Sequence, residues 1–446
     1  MGSLKPDHLR TIREAMDRGL LPRWVLTDPD IYALEQEKIF ARTWQFLAHE
    51  SELPRPGDFV TRWMVHDPVI VIRGDDGVVR AFLNSCSHRG TLLCGADFGN
   101  QKVFSCPYHG WTFNHYGELV GVALANQVWG PELKREEWGL RPIPRLQAYQ
   151  GLIFGNLDPA APPLTDYLGD MRWYLDLIMG RTGGMEVRGV PHRWVVEGNW
   201  KLLYENFTGD PYHVQSTHRS TVELGITPNR TLGADRKGYQ VVLQNGHGVN
   251  VTLYTEIPER PFQRMPEETW PLFRRHLTPV QHDLMQRASV FVGGVFPTLS
   301  FVSPLHGTEG DLYNFLNFRV WRPIDPCHVE VWSWFLIDRA APEGYKQAAY
   351  KGYIDSFGPS GTLEQDDTEM WARVMQASQG WMARDRTLQY QNVMNYLMGW
   401  GRVDPDPGFP GPGTAYPGLV DAVSRSTHRY WFGLLTDGAD GEGDLG

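Results

Sequence analysis

Along the first forty residues apolar side chains recur at helical spacing. Leu9, Ile12 and Met16 share one face, and Gly19 stands where that helix would stop. Thr27-Asp28-Pro29 then offers a cap with proline at the first helical position, ahead of Ile31, Leu34 and Ile39, so a second helix is predicted. From about residue 55 the period shortens. Val69-Ile70-Val71-Ile72 and the run from Val78 to Leu83 flank Gly74-Asp75-Asp76-Gly77, the pattern of a β-hairpin. Short apolar runs between Gly and Pro turns continue to residue 155, which predicts a small β domain.

Pro159-Ala160-Ala161-Pro162-Pro163 breaks the pattern and marks a boundary. Beyond it, the runs Val241 to Leu243 and Val249 to Leu253 flank Asn245-Gly246-His247-Gly248, a second hairpin. Val329, Val331, Ser333, Phe335 and Ile337 alternate with Glu330, Trp332, Trp334 and Leu336, so this strand is expected to be covered on both faces. Residues 362 to 399 read as helical, and Asp437 to Gly446, glycine and acids with little to bury, read as a flexible tail. No internal repeat is present. The expected class is α+β with a β domain near the front.

Composition narrows the possibilities. In 446 residues, 41% are apolar and 21% charged, which excludes bulk disorder. The formal charge of −10 disfavours general nucleic-acid binding, which needs clustered cations. With no run of 18 apolar residues and no secretory-type start, a cytoplasmic protein without a membrane span is expected. Four cysteines are too few for a disulfide scaffold.

Residues 86–90 read Cys-Ser-His-Arg-Gly and residues 106–111 read Cys-Pro-Tyr-His-Gly-Trp, so Cys86, His88, Cys106 and His109 give one thiolate and one imidazole per loop. Structural zinc knuckles usually place two cysteines close together. Zinc takes the same four ligands, but alternation of Cys and His suits a Rieske [2Fe–2S] centre, where one iron takes two Cys and the other two His. Two Cys and two His in β turns need not bind anything. The glycine flanking each pair argues that they do. Cys94 and Cys327 lack a matching His and are read as small buried apolar side chains. The second loop has only Cys106, so no disulfide clamps the loops together, and packing and hydrogen bonds must hold them.

Farther along, Trp200, Leu203, Tyr204 and Phe207 form one helical face. Gly209 is expected to break this helix and Asp210-Pro211 to restart it as cap and first residue. Asp210 and His213 then share a face, whereas His218 lies about 140° around an ideal helix from His213. Both histidines meet one metal only if the segment is irregular. With a carboxylate they would make the 2-His-1-carboxylate arrangement of non-haem Fe(II) oxygenases. Asp366 and Asp367 are both candidates for that carboxylate, and two acids opening a helix also complement its dipole.

Together these segments resemble the α (large) subunit of Rieske non-haem iron aromatic-ring-hydroxylating dioxygenases of the naphthalene, biphenyl and phenylpropionate type. The marks of that resemblance are the two Cys/His loops, the segment from Asn199 to His218, and Phe357-Gly358-Pro359-Ser360-Gly361 before Glu364, Asp366 and Asp367. The resemblance implies helices over 1–40 belonging to the catalytic domain, a Rieske domain over 41–156, a catalytic domain with a large antiparallel sheet over 157–436, and a tail over 437–446. It implies Asp367 as the carboxylate ligand of a mononuclear Fe(II), and Asp210 as a bridge from His109 of one chain to His213 of the next. Asn206, Phe207, Val214, Phe357 and Leu363 match pocket positions. O2 is the implied co-substrate, an aromatic molecule the substrate and a cis-dihydrodiol the product. Electrons come from a ferredoxin and an NAD(P)H-dependent reductase. The implied assembly is a head-to-tail homotrimer, often with small β subunits (α3β3). A monooxygenase or demethylase of the broader family shares the motifs, whereas an electron-transfer protein would lack the second iron. No Arg or Lys is placed in the pocket by sequence, so a substrate carboxylate is neither required nor excluded.

Overall fold

The helices near the front form where their caps place them. Pro6–Asp17 (α1) ends ahead of Gly19, whose φ of 72° few other residues adopt. In Pro29–Glu35 (α2) the carboxylate of Asp28 accepts the Asp30 and Ile31 amides at 2.9 and 3.1 Å. The computed structural model describes residues 6–224, 235–307, 312–386, 391–392 and 403–436. Phe40–Leu164 closes on itself as one unit, and the residues up to Ile39 join those from Thr165 onward in a second.

In the front unit Val79–Leu83, Asp67–Arg73, Asp58–Met64 and Phe98–Asn100 lie side by side as an antiparallel sheet. The first two strands are the hairpin joined through Gly77, at φ 78°. The unbroken run Val69 to Ile72 serves two cores, because side chains alternate along a strand. Ile70 and Ile72 pack with Cys86, Cys106 and Trp111, while Val69 and Val71 pack with Val60, Leu47 and Ile153. Two three-stranded sheets complete the unit, one of them carrying the second Cys/His loop.

The second unit is built on a nine-stranded antiparallel sheet. Met185–Val187, His328–Asp338, Leu316–Asp325, Leu299–Ser303, Ala288–Val295, Gly248–Tyr254, Arg236–Val242 and Thr414–Pro417 follow in that order, and His192–Glu197 also pairs with His328–Asp338. The turn between Arg236–Val242 and Gly248–Tyr254 carries Asn245 and Gly246 at φ 58° and 70°, the two successive positive values a tight hairpin demands. The strand His328–Asp338 is buried from Val331 onward, as its bulky two-faced pattern requires. Helices Trp200–Gly209 (α3), Val214–Thr217 (α4), Glu343–Phe357 (α5), Thr362–Ser378 (α6) and Ala422–Leu435 (α7) belong to the same unit. Among the described residues no helix is long and apolar enough to cross a membrane.

Several expectations need correction. The helical reading of 362–399 is too long. α6 stops at Ser378, Gly380 is extended at ψ 149°, Trp381–Arg384 adds one turn, and Gln391–Asn392 pairs with Leu21–Pro22 as a strand. Residues 387–390 and 393–399, and the tail 437–446, lie outside the described residues. Cys94 is buried, but Cys327 is only partly so, because it sits in the turn between two strands. Gly209 does not break α3, which includes it. A Cβ there would lie 2.1 Å from Ser424 Oγ, so glycine allows α7 to approach. The helix ends instead at Asp210, at φ −120° and ψ 76°, because the following proline bars the helical conformation to the residue before it.

Buried ion pairs fix the helices around the sheet. Glu35 of α2 accepts Lys201 Nζ at 2.6 Å and the indole N–H groups of Trp200 and Trp431 at 2.9 and 2.8 Å, tying α2, α3 and α7 together. Arg319, on the strand Leu316–Asp325, pairs with Glu364 in the first turn of α6 and donates to the Phe357 carbonyl at 3.0 Å. Both are fully out of solvent, and the guanidinium lies 4.8 Å from the Phe207 ring centroid and 5.3 Å from that of Phe357. Arg319→Met alone or Glu364→Leu alone strands a buried charge and is expected to cost roughly 3–5 kcal/mol in urea unfolding. The double substitution should lie closer to wild type than either single one. A double variant as unstable as the sum would refute this account.

His247, fully buried, accepts the Phe296 amide on Nδ1 at 3.0 Å and so donates from Nε2 to the Tyr167 carbonyl at 2.9 Å. Burial pushes its pKa down to about 4. The unfolded chain therefore binds a proton that the folded chain refuses between pH 6.5 and about 4, and stability falls as pH drops through that window. The loss attributable to His247 reaches roughly 3 kcal/mol. Unfolding midpoints of His247→Gln measured from pH 7.5 to 4 should show a shallower decline than wild type.

Candidate active site

In the front unit the two Cys/His loops share one geometry. The Cys86 amide donates to the Thr91 carbonyl at 2.9 Å and the Gly90 amide to the Cys86 carbonyl at 2.8 Å. In the second loop the Cys106 amide donates to Trp111 at 2.7 Å and the Gly110 amide to Cys106 at 3.0 Å. Each loop closes on a glycine at positive φ, Gly90 at 73° and Gly110 at 69°, which is why a glycine follows each Cys/His pair. The His88 ring stacks on the Trp111 indole at 4.9 Å and 10°, and meets the His109 ring at 4.6 Å. Cys94 donates its amide to Asn84 Oδ1 and accepts from Asn84 Nδ2, both at 2.8 Å, and so braces the first loop without a disulfide.

Cys86 and Cys106 are buried, and His88 Nδ1 is buried with no hydrogen-bond partner. Burial pushes the Cys86 thiol up, and the neighbouring Cys106 sulfur adds to this. Two buried thiols and an orphaned imidazole nitrogen on the same pair of loops form a donor set that fits an iron–sulfur centre.

In the catalytic unit the irregular segment arises locally. The Asp210 carboxylate accepts the Tyr212 and His213 amides at 3.1 and 3.2 Å, as a cap would. The helix that follows, however, begins at Val214 rather than at Pro211 and lasts four residues. His213 precedes this single turn and His218 follows it, so their rings come to 5.2 Å, which a regular helix would not permit.

Asp367, on α6, meets both. Its Oδ1 lies 3.5 Å from His213 Nε2 and 3.3 Å from His218 Nε2, and the three donor atoms lie within 4.8 Å of one another. Each ring is held from behind through its other nitrogen: His213 Nδ1 contacts the Asp210 carbonyl at 2.5 Å, and His218 Nδ1 contacts Asp366 Oδ2 at 3.3 Å. Asp366 and Asp367, equivalent by spacing, thus do different things. Burial raises the Asp367 carboxyl, but the facing His218 and His213 rings and Arg319 outweigh it and hold it below the ordinary range. Burial would lower His213, yet Asp210 and Asp367 carry it up to about 9. Asp367 Oδ1 is buried without a hydrogen bond of ordinary geometry. Two Nε2 atoms and that oxygen fit a metal that prefers imidazole and carboxylate.

The site opens into a pocket with an empty volume of about 1010 Å³, its mouth included. Asn206, Phe207, Asp210, His213, Val214, His218, Phe357, Leu363 and Asp367 all line it, so the expected ligand and pocket positions share one cavity. Sequence reasoning misses its floor, where Thr252, Ser289, Val290, Val302 and, above all, Arg236 lie on sheet strands. Their only signal is a polar residue interrupting an apolar strand, as Asn250 and Thr252 do among Val249, Val251 and Leu253. It also misses the acids behind Asp210. Glu205 is raised well above the usual carboxylate range by burial and then by Asp210, and burial first, with Asp210 adding, pushes Asp421 up to about 7.

Comparison with known proteins agrees with this geometry. Residues 43–133 match the model of the Rieske [2Fe-2S] domain, and residues 164–409 that of the ring hydroxylating alpha subunit catalytic domain. N,N-dimethyl phenylurea N-demethylase subunit alpha of Sphingobium sp. (strain YBL2) is 34% identical, over 94% of this chain and 92% of its own. The large oxygenase component of the naphthalene 1,2-dioxygenase system of Pseudomonas aeruginosa is 35% identical, over 91% and 88%. The crystal structure of naphthalene 1,2-dioxygenase from Rhodococcus sp. bound to indole superposes with a TM-score of 0.92 at 39% identity, covering 98% of this chain and 99% of that one. A Rieske domain followed by this catalytic domain, matched along nearly the whole length, makes the chain a member of the ring-hydroxylating oxygenase α subunits.

Proposed function

We propose that this protein is the terminal oxygenase large subunit that adds both atoms of O2 to one edge of an aromatic ring, giving a cis-dihydrodiol. The observation that carries the reading is one cavity in which His213, His218 and Asp367 face aromatic and aliphatic walls. Balanced, the reaction takes one O2, two electrons and two protons per ring. Cys86, His88, Cys106 and His109 would hold the Rieske cluster. His213, His218 and Asp367 would hold the mononuclear iron, which would supply the site of O2 activation. The Asp210 carbonyl and the Asp366 carboxylate take the Nδ1 sides of the two rings, which leaves both Nε2 atoms free to ligate. Phe207, Phe357 and Leu363 confine a flat apolar ring and keep water from it.

Electrons would come from a ferredoxin and its reductase, and Asp210 would link His109 of one subunit to His213 of its neighbour within a homotrimer, with or without β subunits. A second reading is N-demethylation, the activity that the name of the Sphingobium relative states. The polar floor at Asn250, Thr252 and Ser289 favours that second reading for a ring carrying a heteroatom, and product analysis separates the two.

Anaerobically purified protein is expected to hold about three irons per two acid-labile sulfides. His213→Ala should retain the cluster and drop to about two irons. Asp210→Ala should keep both centres, judged by visible spectrum and iron content, yet lose at least roughly 100-fold in turnover. Near-normal product formation by Asp210→Ala would overturn the bridging role, and a cluster that is never accompanied by a third iron would overturn the oxygenase reading.

A further inference from the structure

Resting on the oxygenase reading and its Asp210 bridge, we infer that Glu205 is a positioning residue of the electron path, a buried carboxylic acid that must keep its proton for Asp210 to serve as that bridge. Its setting is a polar seam between α3 and α7. Lys201, Glu205 and Gly209 recur at four-residue steps on α3, while Ser424, His428 and Trp431 lie one turn apart on α7, so each set forms one stripe. All six are buried. The stripes meet rung by rung. Lys201 Nζ lies 5.4 Å from the Trp431 ring centroid, Glu205 Oε2 lies 4.0 Å from His428 Nε2, and a Cβ on Gly209 would lie 2.1 Å from Ser424 Oγ. The seam runs out at Asp210, directly after the last residue of α3.

On the first rung the charge of Lys201 is met by Glu35 at 2.6 Å. Glu205 has no such cation. Among the described residues the His428 ring is the one basic group within ion-pair distance of its carboxyl, and Oε2 accepts no hydrogen bond. His428 Nδ1 donates to the Ser424 carbonyl at 3.0 Å, so that nitrogen carries the ring's proton. Burial, with the charge of Lys201 adding, holds the ring neutral and its pKa down to about 3. Nε2 therefore presents a lone pair to Glu205, which repels a carboxylate and suits the O–H of a carboxylic acid.

The remaining neighbours act in the same direction. Burial first, then the charge of Asp210, holds the Glu205 carboxyl well above the ordinary range, with Asp421 adding and the Ser424 hydroxyl opposing. Asp421, just before α7, is itself buried, and Arg425 one turn on opposes its rise. From the sheet, Gln240 and Asn250 donate to the carbonyls of Gly209 and Thr208 at 2.9 and 2.7 Å, and neither titrates. Arg319 is committed to Glu364. Three carboxyls at one end of a dry seam cannot all be charged. A charged Glu205 would press on the Asp210 anion, which the Tyr212 and His213 amides hold in place, and on the electron that the bridge must carry.

The test uses the full oxygenase, with iron and sulfide content showing that each form is loaded. Without turnover, the infrared spectrum at neutral pH should carry the carbonyl stretch of a protonated carboxylic acid, and Glu205→Gln should lose it. Wild type grown on carboxyl-labelled glutamate gives a second reading that needs no variant, because the label shifts that stretch. With electron donors and naphthalene as substrate, wild-type kcat should fall roughly 10-fold or more on the alkaline side as the proton leaves, with KM little changed. Glu205→Gln cannot ionise, and over the same range its kcat should stay within about 3-fold. A purely structural role would leave the two profiles alike. No protonated glutamate in wild type, a band unmoved in Glu205→Gln, or an alkaline fall of equal depth in that variant each overturns the inference and leaves the oxygenase standing. If loaded wild type oxidises neither naphthalene nor biphenyl, the oxygenase reading fails, and the role of Glu205 in the electron path with it.

Discussion

Charge taken out of water must be met by charge or hydrogen bonds, and that requirement organises the catalytic unit. Glu35 is met by Lys201 and two indoles, Asp338 by Arg181 and Thr182, and Glu364 by Arg319. Each pair joins elements far apart in sequence, so each fixes a helix or strand end in place. Asp367 differs from these three. Nearly as buried as the others, it faces two imidazoles and no Lys or Arg hydrogen bond, and its Oδ1 is left without ordinary hydrogen bonding. For Glu35, Asp338 and Glu364 the counter-charge is built into the chain. Here the chain supplies the carboxylate and two imidazoles, a donor set that a metal cation would complete.

The arrangement depends on a small backbone irregularity. A continuous helix from Trp200 through His218 would send the two histidines to different faces. Pro211 ends α3 at Asp210, the Asp210 carboxylate gathers the next two amides, and one turn of helix then separates His213 from His218. Asp210 therefore has two separable roles: its side chain shapes the turn, and its carbonyl orients the ring of His213. A substitution such as Asp210→Ala leaves the carbonyl in place, which is why ring orientation can survive while the carboxylate is lost.

How far this was legible in sequence follows from what each signal encodes. Caps, hairpins and the cluster loops are local. Asp28-Pro29, Asn245-Gly246 and the glycines after each Cys/His pair specify backbone conformations within a few residues, and the structure has them there. A helix over 362–399 is too long because composition hides the extended Gly380 that stops it. By sequence Gly209 looks like the end of α3, although Pro211 is the cause, since a glycine's packing role, here against Ser424, has no signature in its own neighbourhood. Asp366 and Asp367 could not be told apart by spacing, because what distinguishes them is which nitrogen of His218 each one faces. Arg236 was invisible for the same reason. Whether an arginine at a strand start faces solvent or a cavity is decided by strands fifteen and fifty residues away.

The two proposed ligand sets also differ in exposure. His109 is exposed at the surface of its unit, with the Tyr108 ring 3.8 Å away, while His88 is braced on Trp111. An electron carrier needs one ligand within reach of a partner and the rest held rigid, because slow reorganisation would cost rate. His218 and Asp367 are buried, with carboxylates and apolar rings around them. Oxygen chemistry at an exposed iron would leak reactive species to water, and burial prevents this. Each ligand set would serve poorly in the other's place. An exposed Asp367 would be screened and hydrated into an ordinary surface acid, and a buried His109 would have no partner to receive electrons from.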